Sequence, residues 1–189
     1  MDQVAVILAT DGLPTDENGY GGDEITQEFI KSLKSLEGLP IWLVIRLCTD
    51  EDKVTDFYNQ LDGMLELSLE VLDDFLGEAR EVYKFNPWLN YALSMHRCRE
   101  LGYHDRLFDL IDERALTKGE LRDFSVLLFG TELNTVPDPV SDWKGFIAYI
   151  QGELEHEGDQ WNPIKKKPSP WISIKRLNRV YNSGACNIM

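Results

Sequence analysis

Two apolar runs near the amino terminus constrain the fold more than any other feature of the chain. Val4–Thr10 reads VAVILAT and Ile41–Leu47 reads IWLVIRL, and uninterrupted runs of this length are typical of strands covered on both faces. The residues between them have helical spacing, with Asp23 as the predicted N-cap and Gly38 as the predicted stop. Such a strand–helix–strand unit crosses over right-handed, so the two strands are predicted to be parallel.

The pattern after the second run predicts another strand and then helices. Residues 50–63 repeat the helical spacing. Residues 65–71 alternate apolar and polar side chains, which is typical of an edge strand with one solvent-exposed face. Beyond Asp74 the spacing is helical, and Thr117 with Glu120 forms a predicted capping box.

We therefore predict an α/β fold, with a partial doubly wound, Rossmann-like parallel sheet of about three strands and a C-terminal helical subdomain. The sheet is predicted over residues 1–75, the helical subdomain over 76–158 and a basic tail over 159–189. A chain of 189 residues with 43% hydrophobic content has enough apolar material for a packed core.

Charge is divided unevenly along the chain. The net charge is −14, but residues 162–189 contain six basic residues and no acidic one, so the first 161 residues carry −20. An acidic body repels nucleic acid and anionic lipid, whereas a basic tail attracts them. We expect the tail to face a membrane surface, and we expect no nucleic-acid partner. The basic residues of the tail are Lys165, Lys166, Lys167, Lys175, Arg176 and Arg179.

The sequence has no recognisable membrane span or signal peptide and few cysteines, and both observations predict a cytoplasmic protein. No apolar stretch approaches the roughly 20 residues that a membrane span needs, and the chain does not open on a signal-peptide pattern. Cys48, Cys98 and Cys186 are too few and too scattered for a disulfide framework or a zinc knuckle. We therefore expect a cytoplasmic protein with reduced thiols.

The amino-terminal part resembles a known family. Its first strand ends in Thr10, Asp11 and Gly12, an amphipathic helix follows, the second strand ends in LCTDE, and the third ends at Asp73. In this order the elements resemble the second half of a von Willebrand factor type A domain, over roughly residues 3–75. The resemblance implies a doubly wound sheet in which TDG follows the fourth strand of the family.

Asp11 is the candidate metal ligand that this resemblance implies. In the family the Asp of TDG joins a metal-ion-dependent adhesion site, and an Asp-x-Ser-x-Ser loop with a separate Thr supplies most other ligands. Those elements would lie upstream of this sequence, and a single carboxylate does not hold Mg²⁺ tightly. The other interpretation is that Thr10 and Asp11 cap the following turn. We expect no cofactor, with Mg²⁺ at Asp11 as the alternative.

The resemblance also implies an open sheet edge. In the family the first strand lies beside the strand that corresponds to Val4–Thr10, and its loss leaves backbone amides and carbonyls unpaired. The same strand of a second copy can pair with it antiparallel and give one sheet of about six strands. We therefore expect a homodimer that forms through Val4–Thr10.

An enzymatic alternative rests on carboxylates. Ligands bind outside the carboxyl ends of parallel strands, and several converging carboxylates there would suit a magnesium-dependent hydrolase. An acidic body with polar loops explains the same residues without catalysis. The residues that follow the three predicted strands are Asp11, Asp50, Glu51, Asp73 and Asp74.

The sequence gives less support for a nucleophilic or phosphate-binding motif than for the carboxylate site. His96 and Cys98 stand two residues apart on a predicted helix and therefore point in different directions. The glycine-rich segment Gly19–Asp23 precedes a helix but lacks the P-loop lysine. We assign no catalytic residue.

The last four residues, Cys186 to Met189, resemble a CaaX prenylation signal. One lipid chain binds membranes only marginally, and the basic tail would supply the second signal, with Trp171 and Ile172 in the membrane interface. The expected function is a non-enzymatic protein-binding module, derived from a von Willebrand factor A-like domain and tethered to membranes by prenylation at Cys186.

Overall fold

The computed structural model describes residues 4–49, 51–72 and 74–182. The chain forms two compact units. The first comprises the described residues up to Gly77 together with Ser94–His104, and the second comprises Glu78–Leu93 together with the described residues from Asp105 onward. The first unit is therefore built from two separate stretches of sequence, a division that differs from the predicted boundary at residues 75–76.

Strands and helices alternate in the first part of the chain, and helices dominate afterwards. In chain order the elements are β1 (Val4–Thr10), α1 (Asp23–Lys34), β2 (Ile41–Leu47), α2 (Asp52–Asp62), β3 (Ser68–Leu72), α3 (Phe75–Phe85), α4 (Leu93–Glu100), α5 (Arg106–Glu113), α6 (Lys118–Phe129), α7 (Trp143–His156), β4 (Gln160–Asn162), β5 (Lys167–Ser169) and α8 (Ile174–Tyr181). A short 3-10 turn, Leu133–Thr135, lies between α6 and α7. No helix among these combines the length and the apolar character that crossing a bilayer requires.

The first unit contains a parallel sheet with the strand order β1–β2–β3. Val4 of β1 is in register with Ile41 of β2, and Trp42 of β2 is in register with Ser68 of β3. The predicted α/β fold with a three-stranded parallel sheet is confirmed, and β3 lies at a sheet edge as its alternating pattern predicts.

The central strand β2 is buried on both faces. Leu43, Ile45 and Leu47 point to one face, which we call the first face, and form a core with residues of α1 and α2. Val44 points to the opposite, second face, and it is fully buried there with Trp42. Burial on both faces explains why this strand has an almost continuous apolar sequence.

Residues that return from later in the chain cover the second face. After α4 the chain turns at Gly102, whose backbone lies in the left-handed region at φ 83°. A Cβ atom built on Gly102 would lie 2.5 Å from the Cβ of Ala5, so only glycine allows this approach to β1. The ring of His104 stacks on Trp42, with a centroid distance of 3.7 Å.

Strand β1 differs from the expectation that both its faces are covered. Val6 and Leu8 pack against the first-face core, but Val4 is 57% exposed and Ile7 is 45% exposed. In its apolar sequence β1 resembles β2, yet within the described part of the chain β2 has a neighbouring strand on each side and β1 has one on a single side. An apolar run therefore predicts a strand and does not by itself predict that the strand is central.

The second unit is helical, with a core around Trp88, Phe124 and Phe146. Buried amides connect its elements. The side-chain nitrogen of Asn86 donates to the carbonyls of Ile111 and Arg114, at 2.9 and 2.8 Å. The predicted capping box of Thr117 and Glu120 is confirmed at the start of α6. At α1, in contrast, Gly22 is the N-cap and Asp23 is the first helical residue.

The described part of the segment predicted as a tail is folded. Strands β4 and β5 form an antiparallel hairpin, and the side-chain nitrogen of Asn90 donates to the carbonyls of Gln160 and Ser169 at 3.2 and 3.1 Å. Ile172 is buried and pairs with Leu89 across an isolated bridge, so the expectation that it lies in a membrane interface is wrong. Residues 159–182, the described part of the predicted tail, thus belong to the second unit.

Candidate functional site

The outer edge of β1 is the first candidate site. The N–H of Val4 donates to the carbonyl of Pro40 at 2.9 Å, and the carbonyl of Thr10 accepts from the N–H of Cys48 at 2.7 Å. Backbone groups alternate in direction along a strand, so Ala5, Ile7 and Ala9 direct theirs away from β2. Among residues 4–49, 51–72 and 74–182, no strand pairs with this side of β1.

The chemistry of the β1 edge is apolar. Neither a charged residue nor a proline occurs between Val4 and Thr10, although these are the residues with which proteins usually prevent pairing at an exposed edge. Each outward-facing residue presents one N–H donor and one carbonyl acceptor. The edge is therefore able to accept another strand.

The turn after β1 holds the candidate metal ligand, Asp11. The hydroxyl of Thr10 donates to the carbonyl of Gly12 at 3.0 Å, and the hydroxyl of Tyr58 donates to the same carbonyl at 3.1 Å. Burial raises the pKa of Tyr58, which keeps this donor protonated. Thr10 thus closes the turn as the capping interpretation predicts, while Asp11 itself is exposed.

Of the other carboxylates at the ends of the strands, the structure describes Glu51 and Asp74. Asp74 accepts hydrogen bonds from the backbone N–H groups of Leu76 and Gly77, at 2.7 and 3.1 Å, and so stabilises the start of α3. Glu51 is exposed at the N-terminus of α2. Asp50 and Asp73 lie outside the described residues. Within the described ranges, no group of three or more His, Cys, Asp or Glu side chains is arranged to hold a metal ion.

An ion-pair cluster around two largely buried carboxylates on the second face of the sheet was not predicted. A carboxylate oxygen of Glu100 on α4 lies 2.6 Å from Nε of Arg46 on β2, and the other lies 2.7 Å from Arg97. Nε of Arg99 lies 2.6 Å from the carboxylate of Glu70 on β3. Glu100 is only 7% exposed, so Arg46 and Arg97 neutralise a carboxylate that has little access to water. The cluster connects α4 to two strands.

His96 belongs to this cluster. Its Nε2 lies 3.5 Å from Glu100, and its ring packs at 5.5 Å from the ring of Phe75. Burial lowers the pKa of His96; Glu100 opposes this effect, and the neighbouring arginines add to it. Charged residues spaced three and four apart on α4 were a sequence signal for the contacts to Glu100 within the helix, but not for those to the sheet.

The remaining candidate nucleophiles lie apart. Cys98 is exposed, whereas His96 is buried on the other side of the same helix, as the prediction that they do not form a pair requires. Cys48 is exposed as well. The glycine-rich segment before α1 is an exposed loop in which Gly19 and Gly22 adopt positive φ.

The six basic residues of the predicted tail lie on the β4–β5 turn, on β5 and on α8. Burial lowers the pKa of Lys165, and the nearby charges of Arg176 and Lys167 lower it further, so these three cations lie close together. Arg176 also donates to the carbonyl of Pro87 at 3.0 Å. None of Lys165, Lys166, Lys167, Lys175 and Arg176 forms an ion pair with a described carboxylate. Cys186, the predicted lipidation site, lies outside the described residues.

Comparisons with protein-family models, with curated proteins and with solved structures find nothing that matches this chain. The features of the chain that bear on its function are therefore the open β1 edge and the basic surface.

Proposed function

We propose that this chain is a non-enzymatic protein-binding module that self-associates through the open edge of β1. The proposal includes a doubly wound arrangement derived from a von Willebrand factor A-like domain. It also includes tethering to membranes, with a prenyl group on Cys186 and the basic residues as the two signals. The observation that carries the proposal is the edge itself, a seven-residue apolar strand whose outward backbone groups pair with no strand among the described residues.

A second copy of β1 suits this edge because the strand is complementary to itself. In an antiparallel pair centred on Ile7, Ala5 of each copy lies opposite Ala9 of the other, and the two Ile7 residues face each other. All three are residues whose backbone groups point outward, so they would form the hydrogen-bonded pairs. On the first face, Val6 would lie opposite Leu8.

A homodimer of this kind also reduces exposed apolar surface. Ile7 presents nearly half of its side chain to solvent, and a neighbouring strand would cover part of it. Since β1 carries no charged side chain, pairing would bury no unpaired charge. The two copies would together form one sheet of about six strands.

Two proline variants of β1 test the proposal. Ile7→Pro removes an N–H that points outward, so it should leave the pairing with β2 intact and abolish dimerisation. Leu8→Pro is the matched control, because it removes an N–H that pairs with β2 and should destabilise the fold itself. Light scattering coupled to size-exclusion chromatography reports the oligomeric state, and circular dichroism reports folding.

The expected result is a wild-type dimer and a folded, monomeric Ile7→Pro variant. A wild-type monomer at concentrations of about 100 µM would contradict the proposal, since edge pairing in a functional dimer should persist there. A dimer that is unaffected by Ile7→Pro would place the interface elsewhere and would also refute it.

The membrane part of the proposal has its own test. Intact-mass analysis of protein isolated from its source cells should show a prenyl group on Cys186. An unmodified carboxyl terminus that ends in Met189 would remove this part and leave the β1 interface standing.

A further inference from the structure

The β4–β5 hairpin presents a tryptophan to solvent. Trp161 pairs with Pro168 across the ribbon, so both point to the same face, and Trp161 is 55% exposed. Their neighbours Asn162 and Ser169 point to the opposite face and are buried. The outer face of the ribbon is therefore aromatic and apolar. This tryptophan, and not Trp171, is the one that the fold leaves most available to a partner.

Positive charge gathers at the turn end of the same ribbon. Lys165 and Lys166 lie in the turn, Lys167 opens β5, and Arg176 of α8 lies near Lys165. The acidic residues closest in sequence, such as Asp159, precede β4 and so stand at the other end of the ribbon. The turn end is thus a local cationic surface in a chain of net charge −14.

Helix α8 adds exposed cations to the second unit. Lys175 and Arg179 are four residues apart, which places them on one helical face, and both are exposed while Leu177 is buried. The helix therefore directs its apolar side inward and two long cationic side chains toward solvent.

We propose that the turn end of the β4–β5 hairpin, with Trp161 and the exposed cations of α8, docks directly onto an anionic lipid bilayer. This inference deepens the membrane part of the proposed function, on which it rests, but it requires no attached lipid. Tryptophan side chains favour the headgroup region, because the ring is partly apolar and its N–H is polar. Lysine and arginine side chains near the surface are attracted to anionic lipids.

The aromatic content favours a bilayer over single-stranded nucleic acid. Proteins that bind single strands stack successive bases on several aromatic side chains along a basic groove. In the described part of the second unit, Trp161 is the only aromatic residue among the exposed large hydrophobic side chains. A single tryptophan beside a group of cations matches an interfacial anchor better.

Vesicle sedimentation of bacterially expressed, unprenylated full-length protein tests the inference. Vesicles of phosphatidylcholine are compared with vesicles that also contain phosphatidylserine. We expect binding only to the anionic vesicles, and we expect added salt to weaken it. The variant Lys166→Ala/Lys167→Ala should weaken binding about tenfold or more, since each removed cation reduces the attraction severalfold.

A matched variant controls for overall charge. Lys31→Ala/Lys34→Ala removes the same charge from exposed positions on α1 in the first unit, and it should leave vesicle binding unchanged. The tryptophan fluorescence of the wild type should shift to the blue on anionic vesicles, and this shift should disappear in Trp161→Phe.

Four outcomes would overturn the inference. They are equal binding to both kinds of vesicle, equal losses in the two double-lysine variants, a fluorescence shift that survives Trp161→Phe, and stronger binding of a single-stranded oligonucleotide that requires the same lysines. Repeating the assay with monomeric Ile7→Pro separates the two proposals. If that variant binds anionic vesicles, the lipid-binding surface is supported whether or not the β1 dimer exists.

Discussion

Arg46 and Glu100 form an ion pair of 2.6 Å that joins the central strand of the sheet to helix α4. The same carboxylate contacts Arg97, which is 52% exposed, within the helix. The side chain of Arg46 is 37% exposed, so water screens its contact with Glu100 less than it screens the contact with Arg97, and the contact to the strand should contribute more to stability.

Replacing Glu100 should therefore destabilise the first unit. We expect Glu100→Gln to lower the free energy of unfolding by about 2 kcal/mol, since it removes charge-assisted hydrogen bonds to a buried carboxylate. Arg97→Gln, which removes only the more exposed of the two arginine partners, should change the free energy of unfolding by less than about 0.5 kcal/mol. Urea denaturation measures both values, and equal effects would mean that the contact with Arg46 adds nothing to the contact with Arg97.

The buried position of His96 predicts acid sensitivity. Burial lowers the pKa of His96 in the folded state, so the unfolded chain binds a proton more readily. Its contribution to stability is complete above the unfolded pKa of about 6.5 and decreases as the pH falls below that value. The groups that face it are Glu100, Arg46, Arg97 and Arg99, together with the ring of Phe75.

Urea unfolding between pH 5 and 7 measures this dependence. His96→Gln should flatten the pH profile in that window, while His156→Gln at an exposed site should leave it as in the wild type. A profile that His96→Gln does not alter would show that another group controls the acid response.

The contact between Gly102 and Ala5 predicts a steric coupling. Gly102→Ala should destabilise the fold by about 2 kcal/mol or more, because it combines positive-φ strain with a clash against β1. Gly130→Ala measures the strain alone, since Gly130 also has positive φ but has open space around it, and about 1 kcal/mol is expected. Adding Ala5→Gly to Gly102→Ala should recover the clash component, and additive effects in this double-mutant cycle would disprove the contact.

The capping box of α6 predicts a second, more acidic transition. The hydrogen bonds from Arg114, with help from Thr117, lower the pKa of Glu120 to about 2. The folded-state pKa of Glu120 is lowered, so this stabilisation is present above the ordinary glutamate pKa of 4.5 and is lost as the pH falls toward 2. Glu120→Gln should cost about 1 kcal/mol at pH 7 and flatten the stability profile between pH 4.5 and 2. Glu132→Gln, at an exposed position, is the control and should leave both the stability at pH 7 and the pH profile unchanged.

Salt should strengthen the proposed dimer. Each copy carries a net charge of −14, so two copies repel each other, whereas the β1 interface itself is apolar. Raising the ionic strength from about 0.05 to 0.5 M screens the repulsion and should lower the dimer dissociation constant. Analytical ultracentrifugation measures this constant, and weaker association in high salt would indicate an interface held by opposite charges.

Local sequence patterns predicted the elements whose cause is local. The limits of β1 and β2 follow from their apolar runs, and the capping box follows from Thr117 and Glu120, because each signal lies within a few adjacent residues. The parallel pairing follows from the crossover helix between the strands.

The contacts that the sequence did not predict join distant parts of the chain. Nothing near Glu100 indicates that Arg46 will lie beside it, since the two are connected only by the fold. The β4–β5 hairpin was not predicted because both strands are three residues long and β5 contains lysine and proline. Its turn uses Lys166 at positive φ, where a glycine or asparagine would have been the recognisable signal.

The divided first unit has a consequence for how the protein emerges during synthesis. The sheet receives the cover of its second face from residues 94–104, and residues 78–93, which belong to the other unit, leave the ribosome before them. The nascent chain must hold an incomplete sheet while it begins the next unit. The first unit therefore cannot complete its folding before part of the second unit has been synthesised, so the two units cannot fold strictly one after the other during translation.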